Sequence, residues 1–393
     1  MKVKVLIHAA KQATIIKGHP WIFPKAIAKI IGKPVNGELV HIGTEAGETL
    51  GIGVYNEHSL YRVRVLARAN EENIMAAASV TTLIRERLRQ AKLVRECIGL
   101  PNEHTNAYRF FNSEGDGLSG LTIDRFHHVF VVASSAYWVE LHRETITHEL
   151  AMLFPQDQIL WRPQAKPLRQ DGWDSSEEQV AAVDDINVLE AGVTYQVSFR
   201  QSQKTGLFLD QRENHQRIAA IASGKKVLDL YTYTGGFALH AAKAGASKVT
   251  AVDSSAQAII QGRQNAHLNN LPDIQFIEAD ARDFLVQAGE YDIVVLDPPK
   301  LVPSQQHIQK AKNYYRFLHR EVFKHMQSGS LLMTCNCSSA LSTAEFTALA
   351  SSQAQAVGKQ VRILGIYGPA SCHPVLAAFP EGNYLTAVLL AVI

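Results

Sequence analysis

One stretch in the second half of the chain reads as a complete strand, turn, helix and strand. Residues 226–246 are KVLDLYTYTGGFALHAAKAGA, and VTAVD follows at residues 249–253. The apolar residues before Asp229 predict a short strand, and the alanine-rich run predicts a helix. Between them, Gly235 and Gly236 let the backbone turn tightly and approach a ligand without a Cβ in the way. The stretch therefore indicates an α/β domain.

Two acidic residues close the strands of this unit. Asp229 ends the first strand, and Asp253 ends the second strand 24 residues later. An acid at the end of the second strand can accept two hydrogen bonds from a ribose diol. The glycines depart from the G-x-G-x-x-G spacing of a pyrophosphate cradle. We therefore predict a nucleoside cofactor, for which S-adenosylmethionine fits better than NAD.

The alternation of strands and helices continues from about residue 200 onwards. Predicted strands cover residues 226–231, 249–253, 274–280, 291–297, 330–335, 361–367 and 384–393. Helix-length segments lie between most of them, which predicts a mostly parallel sheet covered on both faces, with ligands at the carboxyl ends of its strands. The first five strands end in an acid or a thiol, namely Asp229, Asp253, Asp280, Asp297 and Cys335.

The first half of the chain has a different pattern. Residues 1–70 contain short β-type runs punctuated by glycines, which predict a small barrel. Residues 75–200 begin with a helical pattern and continue with strand-like runs such as INVLEAGVTYQVSFR at 186–200, which predicts an α+β domain. With residues 201–393 this gives three domains, in keeping with cores that rarely grow past about 250 to 300 residues.

Bulk composition narrows the class of protein. The chain has 393 residues, of which 46% are hydrophobic and 19% are charged, as is typical of soluble globular proteins. No apolar run reaches the roughly 18 residues of a membrane span, and charge interrupts the N-terminus too early for a signal peptide, so we predict a cytoplasmic protein. The four cysteines do not form a disulfide framework, and Cys335-x-Cys337 lacks a second pair, so we predict no metal site.

The basic end of the chain is the N-terminal one. The formal net charge is +2, yet residues 1–68 carry ten Lys or Arg against four Glu. Local positive charge attracts polyanions through counterion release, which indicates nucleic acid as a partner. The alternative is a small domain whose lysines solvate its surface.

The strand ends carry groups that suit a nucleobase. Asp280 and Ala281 can pair with an adenine edge, although an acid there also serves as a helix N-cap. Asp297-Pro-Pro-Lys300 fixes a stiff loop whose carboxylate can grip the polar edge of a planar base. Cys335 would face the same cleft, where a thiolate can be a nucleophile; inert packing is the alternative.

Four motifs carry a resemblance to a known family. Lys204-Thr-Gly-Leu-Phe-Leu-Asp-Gln-Arg212, the turn from Asp229 to Phe237, Asp297-Pro-Pro-Lys300 and Thr334-Cys-Asn-Cys337 occur in this order. Together they resemble the S-adenosylmethionine-dependent ribosomal RNA cytosine-5 methyltransferases, which also carry an N-terminal PUA domain. The similarity extends to shorter motifs near both ends, so it covers nearly the whole chain, namely His19-Pro-Trp-Ile-Phe23, Asn112-Ser-Glu-Gly-Asp-Gly117 and His373-Pro-Val375.

The resemblance implies an α/β architecture and an activity. A Rossmann-like class I methyltransferase domain would follow a small β-barrel PUA domain and an α+β middle domain. The reaction would move a methyl group from S-adenosylmethionine to carbon 5 of a cytosine in large-subunit (23S) ribosomal RNA, naked or partly assembled. In this reaction a thiolate adds to carbon 6 of a cytosine that is splayed out of its stack. A proton acceptor then removes the carbon 5 proton before the thiolate leaves. We also expect a homodimer.

The predicted roles of individual residues follow from the motifs and the resemblance. Cys335 is the predicted nucleophile and Cys337 its rival, while Asp297 is predicted to bind the cytosine edge. The sequence does not assign the proton acceptor. The predicted cofactor-binding residues are Asp229, Tyr231, Thr234, Gly235, Gly236, Phe237, Asp253, Asp280, Ala281 and Asp297. The predicted RNA-binding and substrate-binding residues are Lys17, His19, Trp21, Lys204, Arg212, Pro298, Pro299 and Lys300.

Two other functions stay open on the sequence. Asp-Pro-Pro loops often serve methylation of amino groups, in which case the methyl group would go to an exocyclic nitrogen of guanine or adenine and both cysteines would be spectators. An RNA-binding ribosome assembly factor without catalysis would use the basic N-terminal domain. The intact acids and Cys335 argue against that reading.

Overall fold

The computed structural model of the protein describes residues 3–71, 75, 79–174, 184–199, 207–301 and 308–393. The chain forms two compact units. The first comprises residues 1–102, 106–183 and 372–382, and the second comprises residues 103–105, 184–371 and 383–393. The strands that we assigned to the middle domain at residues 186–200 belong to the second unit. The three-domain division stays a prediction.

The first unit begins with a six-stranded sheet in the order β2-β6-β5-β4-β1-β3. Neighbouring strands are antiparallel except β1 and β4. Alternate residues of these short strands form one buried apolar cluster, as the period of two in a strand requires. The elements are β1 (Lys4–Ile7), α1 (Ala9–Ile16), β2 (Trp21–Ile22), β3 (Ile27–Ile31), β4 (Leu39–Thr44), β5 (Thr49–Tyr55) and β6 (Val63–Arg68).

A second sheet of the first unit has four strands in the order β10-β9-β8-β7. The pairs β7–β8 and β8–β9 are antiparallel, and β9–β10 is parallel because two helices connect those strands. The elements are α2 (Val80–Cys97), β7 (Ala107–Asn112), β8 (Leu121–Phe126), β9 (Val129–Ser134), α3 (Tyr137–Leu141), α4 (Arg143–Leu153), β10 (Gln158–Pro163) and α5 (Ala165–Gln170).

The second unit opens with a hairpin and continues as alternating strands and helices. Every strand that we predicted after residue 225 is present, with its ends within two residues of the predicted ones. The elements are β11 (Ile186–Glu190), β12 (Val193–Val197), α6 (Arg212–Ala222), β13 (Lys226–Leu230), α7 (Gly236–Lys243), β14 (Lys248–Asp253), α8 (Ala256–Leu268), β15 (Gln275–Glu278), β16 (Ile293–Leu296), α9 (Ile308–His325), β17 (Leu331–Asn336), α10 (Thr343–Ala356), β18 (Val361–Tyr367) and β19 (Thr386–Val392).

The seven-stranded sheet of this unit has the order β15-β14-β13-β16-β17-β19-β18. The strands β13 to β17 pair with one another in parallel, whereas β19 is antiparallel to both β17 and β18. The central strands β13 and β16 are buried almost throughout, as strands covered on both faces must be. The protein therefore has the Rossmann-like α/β fold that we predicted.

The order of the sheet fixes where a ligand can bind. The chain proceeds from β13 outward to β15 and then returns to the other side of β13 with β16. The crevice outside the carboxyl ends of these two neighbouring strands is the binding position in open α/β sheets. Asp229 is the next-to-last residue of β13, and Asp297 follows β16 directly. Within the described part of the chain, no helix has the length and apolar content that a bilayer span requires.

Candidate active site

A cavity of about 330 Å³ lies where β13 and β16 end. The turn after β13 and the loop after β16 form two of its walls, and the segment before α6 forms a third. Of the residues that we predicted for the cofactor, the nucleobase or the chemistry, the cavity is lined by Tyr231, Thr234, Gly236, Phe237, Asp297, Pro298, Pro299, Lys300 and Cys337. The structure thus brings these predicted residues together in one cavity, and their roles stay predictions.

The turn after β13 requires its two glycines. Gly235 has φ of +94°, the left-handed region that side chains rarely adopt. A Cβ on Gly236 would lie 2.5 Å from Nε2 of His215. Asp229 is fully buried below the turn, where its Oδ2 accepts from the Thr232 hydroxyl at 2.5 Å and from the Ala238 amide at 3.0 Å. Burial raises the pKa of Asp229 to about 6.

Two tyrosines in the same turn hold an uncommon backbone conformation. Tyr231 has φ of +65° and Tyr233 has φ of +52°, and both side chains line the cavity. Residues other than glycine in this region cost on the order of 1 to 3 kcal/mol each and persist where the surrounding structure fixes them. The Tyr233 amide is held by Asp253, whose Oδ2 accepts from it at 2.9 Å. Two of the six non-glycine residues with positive φ in the described part of the chain therefore line the cavity.

Of the four predicted cofactor acids only Asp297 lines this cavity, and Asp229, Asp253 and Asp280 do not. Asp253 also accepts from the Ser255 amide at 2.9 Å, so both of its oxygens are bound to the backbone. Asp280 caps the short helical segment Ala281–Glu290 and accepts from the Arg282 amide at 2.9 Å. The hydrogen bond from the Arg282 side chain lowers the pKa of Asp280. The N-cap reading of Asp280 is therefore confirmed, and its role toward adenine stays a prediction.

Asp297 lies between a glutamine and a thiol. Its Oδ2 accepts from the Gln211 side-chain amide at 2.9 Å, and its Oδ1 lies 3.9 Å from Sγ of Cys337. Burial raises the pKa of Asp297 to about 7, and the negative charge of Asp210 adds to the shift. A carboxyl group with such a pKa exchanges a proton readily near neutral pH.

The two cysteines after β16 differ in access. Cys335 is fully buried and is not among the residues that line the cavity. Burial raises the pKa of its thiol well above the usual range, which keeps it protonated. Cys337 is half-buried and lines the cavity, because β17 ends at Asn336 and leaves the next residue free to turn toward Asp297. Of the two thiols only Cys337 lines the cavity, and the choice of nucleophile stays a prediction.

Sequence reasoning missed a buried cluster behind the glycine turn. His215 Nδ1 lies 2.7 Å from Oε1 of Glu190, and His240 Nε2 lies 3.3 Å from the same oxygen. Burial alone would raise the pKa of Glu190, but the two histidines lower it to about 2. Glu190 and His215 line the cavity, and no motif joins residues this far apart along the chain. The ligand-type atoms of the three residues lie within 4.8 Å of one another.

Asp210 and Gln211 were also missed, although they lie inside one of the motifs of the resemblance. Both line the cavity, immediately before α6. From this motif we selected only the cations Lys204 and Arg212. Lys204 lies outside the described residues. Arg212 is buried against Glu213 and Ser371 and does not line the cavity, which argues against direct contact with RNA in this structure.

The predicted RNA residues of the first unit lie near β2. Lys17 is exposed, and His19 is half-buried. The Trp21 indole donates to both Glu114 and Ser119 at 3.1 Å, and its ring stacks on Tyr61 with centroids 3.9 Å apart. Trp21 is thus held in a packed cluster, and its role as a platform for RNA bases stays a prediction.

Comparison with known proteins places the chain in a family. A model described as S-adenosylmethionine-dependent methyltransferase matches residues 159–360, and one described as PUA-like domain matches residues 5–68. The chain is 32% identical over 399 residues to ribosomal RNA large subunit methyltransferase I of Aeromonas salmonicida, with 99% of both chains covered. The protein of the same name from Escherichia coli is 30% identical, with 98% of both covered. The chain belongs to this methyltransferase family.

Solved structures agree with the fold of this family. A protein from Streptococcus mutans described as a SAM-dependent methyltransferase superposes with a TM-score of 0.81 at 20% identity, and both chains are covered completely. A second methyltransferase structure, complexed with SAH, gives a TM-score of 0.82 at 20% identity. The first unit accordingly begins with a PUA-like domain, and the enzyme uses S-adenosylmethionine.

The residues of the glycine turn fit the cofactor of this methyltransferase family. Gly235 and Gly236 leave the room that a side chain would fill. Oδ1 of Asp229 is buried and has no hydrogen-bond partner, so it can still accept a hydrogen bond from a ligand. Asp210 and Asp297 add carboxyl groups to the cavity wall, which suits a ligand that carries an ammonium and a sulfonium. The residues from Thr232 to Phe237 would hold the cofactor.

Proposed function

We propose that this methyltransferase modifies carbon 5 of a cytosine in large-subunit ribosomal RNA through a covalent adduct with Cys337. The observation that carries the proposal is the pair of Cys337 and Asp297 in one cavity with the glycine turn. Sγ of Cys337 and Oδ1 of Asp297 are 3.9 Å apart, and both residues line the cavity that Gly236 and Phe237 also line. A thiol and a proton carrier beside the proposed cofactor site are the groups that formation of the adduct needs.

The proposed mechanism begins with a proton transfer from Cys337 to Asp297. The thiolate adds to carbon 6 of the cytosine, while Asp297 passes the proton to nitrogen 3, which makes carbon 5 nucleophilic. A pKa of about 7 suits Asp297 to both halves of this transfer. Bound S-adenosylmethionine supplies the electrophilic methyl group. Gln211 holds Asp297 in place through the 2.9 Å hydrogen bond to Oδ2.

The choice of ribosomal RNA rests on the relatives and on charge. The curated relatives that cover the whole chain carry the name ribosomal RNA large subunit methyltransferase I. The PUA-like match and the basic residues 1–68 support binding of a polyanion. Naked or partly assembled RNA as substrate, and a homodimer as the active form, remain predictions that belong to this proposal.

RNA that contains 5-fluorocytidine tests the covalent step. Fluorine at carbon 5 blocks release, so the adduct between protein and RNA accumulates and survives a denaturing gel. We expect the adduct with the unaltered enzyme and with Cys335→Ala, which serves as the matched control, and none with Cys337→Ala. An adduct that persists in Cys337→Ala would overturn the choice of nucleophile.

The same experiment separates carbon from nitrogen chemistry. The carboxyl group of Asp297 and the stiff loop of Pro298 and Pro299 are also suited to hold an exocyclic amino group beside the donor. An enzyme that methylates RNA but gives no adduct with 5-fluorocytidine would act on nitrogen instead. Mass mapping of ribosomal RNA from cells with and without the gene would then identify the methylated base.

A further inference from the structure

The covalent mechanism leaves one step without a residue. After methyl transfer, the proton on carbon 5 must be removed before Cys337 can leave. Cys337 itself is bonded to carbon 6 at this stage, and Asp297 faces nitrogen 3 on the opposite edge of the ring from carbon 5. The base must therefore be a third group of the same cavity.

Most of the other titratable groups that line the cavity are unsuitable. Glu190 and His215 are hydrogen-bonded to each other at 2.7 Å, and His215 is packed against Gly236 on the cofactor side. Lys300 carries an ammonium group, which has no free electron pair. Burial raises the pKa of the tyrosines Tyr195, Tyr231 and Tyr233, so their phenols stay protonated.

Asp210 remains, and its surroundings suit a base. Its Oδ2 accepts from the Tyr384 hydroxyl at 2.6 Å, which stabilises the carboxylate and fixes its orientation. Gln211, the next residue, donates a hydrogen bond to Asp297 at 2.9 Å, so the segment that carries Asp210 also holds Asp297 in the cavity wall. The charge of Asp210 helps to raise the pKa of Asp297.

We propose that Asp210 is the catalytic base that removes the carbon 5 proton, an inference that rests on the proposed function. The carbon 5–hydrogen bond breaks, and its electron pair becomes the double bond between carbons 5 and 6. The carbon 6–sulfur bond breaks with its electron pair on Sγ of Cys337. The nitrogen 3 proton returns through Asp297 to the thiolate, and Asp210 later releases its own proton to water.

The variant Asp210→Asn tests this role with ordinary cytidine RNA. Without the base, methylation proceeds but release fails, so a methylated adduct accumulates on a denaturing gel. We expect release of methylated RNA to slow by about 100-fold or more, the usual contribution of a general base. Asp283→Asn, at an exposed acid outside the cavity, is the control and should release RNA at the unaltered rate.

Three results would overturn the role of Asp210, and a fourth would refute the proposed function on which that role rests. Asp210→Asn that releases methylated RNA at the unaltered rate excludes Asp210 as the base. Asp210→Asn that binds S-adenosylmethionine in a calorimetric titration but gives neither adduct nor product shows an earlier role instead. Should that variant fail to fold, Tyr384→Phe is expected to slow release by roughly 10-fold and to leave a detectable adduct, and an unchanged rate excludes the role. Absence of the 5-fluorocytidine adduct in the unaltered enzyme would refute the proposed function itself.

Discussion

At the scale of single residues, burial raises the pKa of the acids at the carboxyl ends of β13 and β16. Asp229 is surrounded by the central sheet and accepts two hydrogen bonds, yet one of its oxygens has no partner. The cost of an ionised carboxylate without full compensation raises its pKa to about 6. Burial raises the pKa of Asp297 further, to about 7, and the negative charge of Asp210 adds to this shift.

These shifts predict that the cofactor-free enzyme loses stability as the pH rises from about 4 to about 7. The folded state binds these protons more tightly than the unfolded state, so ionisation favours unfolding. For Asp229, a rise from 3.8 to about 6 corresponds to about 3 kcal/mol at most. Urea titrations at several pH values should show a shallower decline for Asp229→Asn than for the control Asp283→Asn. A decline unchanged by Asp229→Asn would contradict the assignment.

The glycine turn makes a second prediction for a single residue. Gly236→Ala would bring a Cβ to 2.5 Å from Nε2 of His215, so the imidazole must move. We expect a loss of about 1 to 3 kcal/mol in stability, typical of overpacking, and a weaker affinity for S-adenosylmethionine. Gly368→Ala is the control, since the nearest atom to its Cβ would be 3.5 Å away. Denaturant titration and calorimetry measure the two quantities.

The cysteines show how far sequence can assign a residue. The run of apolar residues predicts where β17 lies, and the strand occupies Leu331–Asn336. Which thiol opens to the cavity depends on the residue at which hydrogen bonding with β19 ends, since Cys335 pairs with Ala387 and Cys337 lies past the last pair. Hydrophobic patterns locate strand ends only to within a few residues, which is too coarse to separate two positions.

At the scale of secondary structure, the sequence predicts features that depend on residues close together in the chain. The sequence Ser342-Thr-Ala-Glu345 has the pattern of a capping box, and the structure has one at the start of α10: Ser342 Oγ accepts from the Glu345 amide, and the Glu345 carboxylate accepts from the Ser342 amide. The order of the seven-stranded sheet cannot be predicted in this way, because neighbouring strands come from distant parts of the chain. No spacing within the sequence reports that β19 lies between β17 and β18.

The capping box predicts a measurable contribution of one side chain. Ser342→Ala removes the acceptor for the Glu345 amide, which lies 3.3 Å from the hydroxyl. We expect the free energy of unfolding to fall by about 1 kcal/mol. Ser351→Ala, within the same helix, is the control and should be neutral or slightly stabilising, because alanine has the higher helix propensity. Equal losses for both variants would contradict the cap.

At the scale of the whole molecule, charge is distributed unevenly along the sequence. Residues 1–68 carry an excess of positive charge, whereas the rest of the chain carries a negative one. This distribution was evident from composition, and the match of residues 5–68 to a PUA-like domain agrees with it. The cavity of the second unit could not be predicted as a whole, because its walls come from segments between residues 190 and 384.

Binding to RNA should therefore weaken steeply with salt. Each lysine that contacts a phosphate adds about 0.7 to 1 to the slope of log affinity against log salt. Lys17→Gln should lower that slope by about this amount in a filter-binding series, because Lys17 is exposed in the basic segment. Lys225→Gln, exposed in the second unit, is the charge-matched control. Equal slopes for Lys17→Gln and the unaltered enzyme would exclude Lys17 from the contact.

The placement of β19 has a consequence for how the enzyme matures. Residues 386–392 hydrogen-bond to β17 on one side and to β18 on the other, although both partners precede them in the chain. During translation, β17, the strand that leads into Cys337, has an unpaired edge until these residues have emerged from the ribosome. A nascent chain stalled before residue 386 therefore keeps the proposed nucleophile on an unfinished scaffold. The sheet around Cys337 is therefore completed only after residues 386–392 have been synthesised.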